Sequence, residues 1–538
     1  MGFSSPNLGN RGQRFAVLLV CVVLSLSALS FSANTYYVSQ SGGSVNCGAD
    51  GTQTSQPYSW VNASGHYAAG DTIKLCGTIN GPNTVGGTVF TLQASGSSGN
   101  PITMFWESNA GIAEPACGTG NGNACIKTNN QTYWVLDGNL TKNSITSTAN
   151  GTAGTYANQV PANGIWALNC SNCEFKNLDV SNMYVMVGAN DSAPTGFSWD
   201  PSGLVISGSN YLIHNNSFEQ MRSGVVGGLW NDGDSNNRVY NNTFNHIGGG
   251  IIYVGNTSGV LSNIFVYGNH ISNMATWDNV NDYYHHDGIF FCNNSGDASS
   301  VKNIYIYDNL FDGDEGANCT AWIYYNEGLN GIYVFNNKFF NSSARSCAQM
   351  EGGYTGDQNF YVYNNYVDCG GLGDGATAMQ YGRGGITITG MTVENNTFNN
   401  CDVDYDFNGV VIGAGTIDHN VYGASNCTGS RCFQWNGNTS ALAAWQAICS
   451  CDTHSLSPSS TGADSSGMPQ AGSAMIHDGT LHFANLASLC TGSLTALCTD
   501  YAGNPRPNSG TMNWDAGAYL YGSSAAPSPP SGLQATVE

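Results

Sequence analysis

The stretch YYHHDGIFF, Tyr283 to Phe291, places His285, His286 and Asp287 together just ahead of a short apolar run. Two imidazoles and a carboxylate at a strand start could move protons near neutral pH. A second group lies further on: Tyr325, Glu327, Gln349, Glu351, Gln380 and Arg383. A carboxylate such as Glu351 close to Arg383 would be held ionised, which suits a nucleophile, a base or a clamp on substrate. Trp199, Trp230 and Trp277 are flat apolar surfaces on which rings could stack. Asp278 and Asp282 are oxygen donors of the kind that hold a hard cation such as calcium.

The elements that would position these groups follow from a repeat. The segments YLIHNNSFEQM, RVYNNTFNHI, IFVYGNHISNM, IYIYDNLFDGD, IYVFNNKFFNS, FYVYNNYVDCG, MTVENNTFNNC and TIDHNVYGAS share one form. Each is a short alternating strand, then an asparagine, a variable residue and usually an apolar one. CEFKNLDVSNM is read as an earlier copy. The asparagines are Asn177, Asn216, Asn242, Asn269, Asn309, Asn337, Asn365, Asn396 and Asn420. A second strand type alternates with the first: NGIWAL, SGLVIS, SGVVGG, GGIIYV, DGIFFC, TAWIYY, TAMQYG and NGVVIG, with SCAQME as an irregular copy. Short strands repeating at this interval are coils of a β-solenoid. Helical periodicity is confined to SALAAWQAI near residue 445.

The asparagine-plus-apolar coil resembles the right-handed parallel β-helix, the pectate-lyase-like fold, over roughly residues 34–522. The resemblance implies an all-β chain of about ten or more coils with an irregular C-terminal cap. It also implies a carbohydrate-active protein. Starts such as HHDG look similar to motifs of carbohydrate-active β-helix proteins. Asparagine has a structural role in such stacks. One amide can both donate to and accept from the coils above and below, satisfying the buried bend.

The organisation expected is a signal peptide over 1–33, an N-terminal cap and first coils over 34–150, and regular coils over 151–425. C-terminal coils and a cap follow over 426–522, and a Pro/Ser-rich tail over 523–538. Arg11 and Arg14 ahead of FAVLLVCVVLSLSAL carry the first of these expectations. Of 18 cysteines, only Cys21 falls in that leader. Close pairs at 117/125, 170/173, 427/432, 449/451 and 490/498 are compatible with disulfides in an exported protein. The odd remainder leaves at least one free thiol if no cysteine pairs between chains.

Charge excludes some partners. Net charge is −22 with only 14 basic residues, so a phosphate backbone would be repelled and nucleic acid is not expected. No span beyond the leader reaches membrane-crossing length. The expected partner is a polysaccharide, and the expected state a secreted monomer.

Function in a solenoid should sit where coils depart from the repeat. Two departures are long: MYVMVGANDSAPTGFSWDP after Asn177, and ISNMATWDNVNDYYHH after Asn269. Both leave from the same corner of the coil, three coils apart, roughly 14 Å. They could wall a groove. Lyase chemistry with a histidine base and Arg383 as clamp, and hydrolase chemistry on two carboxylates, both fit. The chain has six lysines, and Lys302 and Lys338 have no basic neighbour, which weighs against a lysine base. A non-catalytic adhesin, glycan-binding or structural solenoid is the other reading.

Overall fold

A computed structural model describes residues 33–522 except 119–121, 151–159, 184–200, 229–233, 256–258, 275–285, 294–299, 317–318, 327, 342–346, 353–356, 372–375, 383–387, 412, 414, 424–431, 477–489 and 508–513. Strands dominate. Among the described residues a 16-stranded and a 23-stranded sheet extend between Thr35 and Ser440, paired in parallel almost throughout. Each coil contributes three strands. The first face lies in the smaller sheet, and the second and third faces share the larger. The register is unbroken over many coils. On the first face Arg238, Phe265, Tyr305, Tyr333 and Tyr361 stand in line. On the second the line is Asp179, Ser217, Thr243, His270, Leu310 and Lys338. This is the right-handed parallel β-helix expected from the repeat.

Alternation sends one residue in two inward. Phe218, Phe244, Ile271, Phe311, Phe339 and Val367 fill the second face from inside, all at most 1% exposed. Phe218 stacks on Phe244 at 5.0 Å and Phe311 on Phe339 at 4.7 Å between ring centres. Ring spacing and rung spacing coincide. Burying each such side chain contributes about 1.5–3 kcal/mol.

The asparagine ladder is continuous from Asn216 to Asn420. The Oδ1 of each accepts both the backbone N–H and the side-chain Nδ2–H of the preceding rung, as Asn309 does from Asn269 at 3.0 Å each. Leu178 N–H starts the column on Asn216 Oδ1, and the Ser455 hydroxyl ends it by accepting Asn420 N–H at 2.8 Å. Asn177 is therefore not a rung, contrary to the expectation. It belongs to the neighbouring column of left-handed residues, with φ 55°, shared with Asn215, Asn241, Asp308, Asn336, Asn364 and Asn395. Asparagine tolerates that conformation, so both columns of the bend favour the same residue and the sequence alone does not separate them.

Disulfides join 117 to 125, 170 to 173, 449 to 451 and 490 to 498, as the spacing predicted. Three longer links appear as well: Cys47–Cys76, Cys319–Cys347 and Cys369–Cys401. Cys432 is disulfide-bonded and Cys427 lies outside the described residues. Cys292 is buried and lies outside these disulfides. The α-helix Leu442–Cys449 matches the helical stretch in the sequence. Beyond it the chain returns along the first face. Leu497 and Trp514 pack on Phe335 and Tyr363.

Candidate functional site

The expected site residues separate into three groups. Trp199, Trp230, Trp277, Asp278, Asp282, His285, Glu327 and Arg383 lie outside the described residues. Among the others, His286 and Asp287 are at most 4% exposed at the start of the third-face strand His286–Asn293. Glu351 is 2% exposed on the outer column of that face, in line with Phe290, Tyr324, Gln380 and Asp406. Gln380 is half-buried and donates to Asp406 Oδ2 at 2.8 Å.

Two placements differ from simple alternation. Gln349 and Glu351 are two residues apart, which in simple alternation puts them on one side of the strand. Ala321 and Tyr324 face outward while Trp322 and Ile323 both join the core, so the strand turns inward for two residues at the corner. Gln349 occupies the Trp322 position of the next coil and is fully buried. It lies against Glu315, a buried carboxyl that also accepts Asn341 Nδ2–H at 3.1 Å. Burial, and then the charge of Asp287, pushes the Glu315 carboxyl well above its ordinary range. Tyr325, grouped with Glu351 as a candidate site residue, points into the core instead and meets Phe360 edge-on at 5.4 Å. Glu351 is in register with Tyr324, not with Tyr325.

The corner between the second and third faces has a different character. Asn182, Gln220, His246 and Asn273 form its column of left-handed residues, with φ of 61°, 56°, 50° and 58°. The residues just before them are in register: Ser181, Glu219, Asn245 and Ser272. The two long insertions begin just past Asn182 and Asn273, three rungs apart. In the two coils between them nothing is inserted. Strands Ser217–Gly227 and Thr243–Gly255 run through the corner unbroken. The coils between the two departures thus form a floor that turns the corner without a loop, while the departures themselves lie largely outside the described residues.

That floor carries titratable side chains. Glu219 Oε1 lies 3.7 Å from His246 Nδ1, and both side chains are accessible, at 42% and 36%. Asn245 Oδ1 accepts from Ser272 Oγ at 3.1 Å and from Asn273 Nδ2 at 2.8 Å. Its own Nδ2 therefore donates to His246 Nδ1, 2.9 Å away. A neutral His246 then carries its proton on Nε2. One coil earlier, Asp179 and Lys142 join a depression of about 630 Å³ lined also by Asn143, Thr146, Glu219 and Gln220. Burial, and secondarily the Glu219 charge, raises the Asp179 carboxyl. The Asn143 N–H, at 3.1 Å, and the Lys142 charge pull it back. Asp179 and Glu219 are diagonal neighbours on adjacent rungs, with Cα atoms about 8 Å apart by strand geometry.

Lys142, Asp179, Glu219 and His246 were not singled out in the sequence, because each sits at an ordinary outward position of the repeat. The readable signal was indirect: two uninterrupted coils between two interrupted ones.

No protein-family model matches the chain, and no curated protein matches it. Among solved structures, pectate lyase Pel9A is similar over 91% of this chain and 96% of its own, at 14% identity and a TM-score of 0.30. XylC in complex with xylose is similar over 90% and 98%, at 12% identity and 0.38. A mannuronic-acid-specific family 6 polysaccharide lyase from human gut microbiota is similar over 80% and 88%, at 12% identity and 0.28. Likeness at this level decides nothing about chemistry. The coil pairing itself defines the class as a parallel β-helix.

Proposed function

We propose that the chain is a secreted polysaccharide-cleaving enzyme and that the corner floor between the two long insertions is its active site. The observation that carries the reading is the carboxyl pair Asp179 and Glu219. One is enclosed and raised towards the neutral form, the other is accessible beside an imidazole. Glycosidic bond hydrolysis needs that division, an acid to protonate the leaving oxygen and a second carboxylate to activate water or attack the sugar. Asp179 is assigned as the acid and Glu219 as the base or nucleophile, with the His246 ring beside it. Gln220, Asn143 and Ser181 offer hydrogen bonds to sugar hydroxyls.

Lyase chemistry is the second reading, and the specific observation favouring it is Lys142 in the same depression as Glu219, next to His246. An ammonium there would face a uronate carboxylate while the accessible Glu219 carboxylate receives the neighbouring proton.

Disulfides between and within coils support an extracellular setting. Among the described residues no helix is long and apolar enough to cross a membrane.

The test is incubation of the full chain with acidic and neutral polysaccharides, following reducing ends and unsaturated-product absorbance together. Reducing ends without unsaturation support hydrolysis, and both together support elimination. Retention on a glycan column with no product from any substrate would leave a binding solenoid and remove the enzyme reading.

A further inference from the structure

The last coils carry a cluster unrelated to the corner floor. On the outer first face, the aromatic column Tyr240, Tyr267, Tyr307 and Phe335 runs at about 4.8 Å between ring centres. Past Tyr363 that column changes to carboxylates: Tyr363 is in register with Glu394, and Glu394 with Asp418. The two acids are 6% and 8% exposed on adjacent rungs. Carboxyls so enclosed are relieved by a positive partner or by protonation of one of them; burial, and then the Asp418 charge, pushes Glu394 up to about 7.

Two imidazoles converge on them. His419 takes the left-handed bend position, φ 57°, where earlier coils carry asparagine. His454 arrives from the segment after helix Leu442–Cys449. Asp418 Oδ1 accepts the backbone N–H of His419 at 3.0 Å and of His454 at 2.8 Å, which fixes the carboxylate plane. Its Oδ2 lies 2.7 Å from His454 Nδ1 and 3.8 Å from His419 Nε2. The rings are parallel at 4.8 Å. The three donor atoms fall within 4.8 Å of one another. In tetrahedral zinc sites, bonds of about 2.0–2.2 Å give donor separations of roughly 3.3 Å. The observed 2.7 and 3.8 Å bracket that edge. His454 is exposed, its side chain at 63%, so the cluster is open to a cation from solvent.

We infer that Asp418, His419 and His454 form a site for a divalent transition cation of the zinc type, with Glu394 on the adjacent rung as a hydrogen-bond partner of the bound water. Nitrogen-rich donor sets of this kind select zinc over calcium. The cation would tie the segment after the helix to the end of the first-face sheet, a structural clamp rather than a part of the corner chemistry.

The experiment uses the full chain, stripped with chelator and dialysed against zinc, with metal measured per chain. Cobalt is the spectroscopic probe. About one zinc per chain is expected, with the visible absorption of low-coordinate cobalt. His454→Ala should weaken binding at least about tenfold and abolish the cobalt band. His454 is exposed, so this variant keeps the fold. His66→Ala, at another exposed histidine, should change neither readout. Sub-stoichiometric zinc in the parent protein, or undiminished binding in His454→Ala, would overturn the site.

Discussion

Removing one rung of the asparagine ladder is a direct test of what holds the coils in register. In Asn309→Ala, Asn269 loses the acceptor of both its backbone N–H and its side-chain Nδ2–H, each at 3.0 Å. Val266 O, Tyr307 O and Asn337 Oδ1 lose a donor at 2.9–3.0 Å. Asn269 Nδ2 keeps its bond to Val239 O, so its backbone N–H is the group left stranded. An orphaned buried N–H costs about 1–3 kcal/mol, and each further bond about 0.5–1.5. With some carbonyls finding other partners, the sum is about 3–6 kcal/mol. The ladder supplies its own control. Ser455 accepts the Asn420 N–H at the end of the column, so Asn309→Ser should restore the backbone acceptor and recover about 1–3 kcal/mol of that loss. Urea denaturation gives the total, and amide exchange at Asn269 reads the site itself. Protection there should fall about 100-fold or more in the alanine variant, since each 1.4 kcal/mol is a factor of ten. A loss below about 1 kcal/mol, or a serine variant no better than alanine, would refute the account of the ladder as the satisfier of the buried bend.

Three further outcomes are expected. Glu219→Gln should reduce kcat by about 100-fold or more on the polysaccharide identified, with His246→Ala lowering it less, and steady-state kinetics would expose an unchanged kcat. Asp179→Asn keeps the Asn143 contact but removes an ionisation that folding opposes. A raised carboxyl in the folded chain gives stability that is complete below its ordinary pKa of 3.8 and lost as pH rises through the raised value. The Tm of Asp179→Asn relative to the parent should therefore climb from acid towards neutral pH and then level, and a difference independent of pH would reject it. Trp514→Ala should cost about 3–5 kcal/mol of docking for the returning C-terminal segment. Limited proteolysis should then cut near residues 490–520 faster, while Asn269 exchange stays unchanged.

The coil was legible in the sequence because its two strongest constraints, period-two alternation and a polar bend, each leave a distinct residue type. What escaped follows from the same physics. Asn177 and the ladder residues occupy neighbouring positions that both favour asparagine, so type alone does not set the register there. Strict alternation puts Gln349 on the side of Glu351, and it fails where the strand admits Trp322 and Ile323 inward together. Tyr325 then fills the core. His246 stood inside a regular copy of the repeat and looked like spacing. Its chemistry comes from Glu219 one rung away and 27 residues earlier, a proximity that only the coil register creates.

The corner column has a consequence for how such a chain can vary. The ladder, the core stacks and the first-face sheet continue past Asn182 and Asn273 whether or not a segment is inserted there. The anchoring residues before and after an insertion stay hydrogen-bonded to their own neighbours, so its length enters the folding free energy only through loop closure. Doubling a flexible insertion adds about 0.6 kcal/mol, less than one ladder bond. Segments inserted at this corner are thus nearly free to change in length and sequence while the coils that carry them remain fixed. Grafting a different segment between Asn273 and His286 should change which glycan fits and leave Glu219 and His246 where they are.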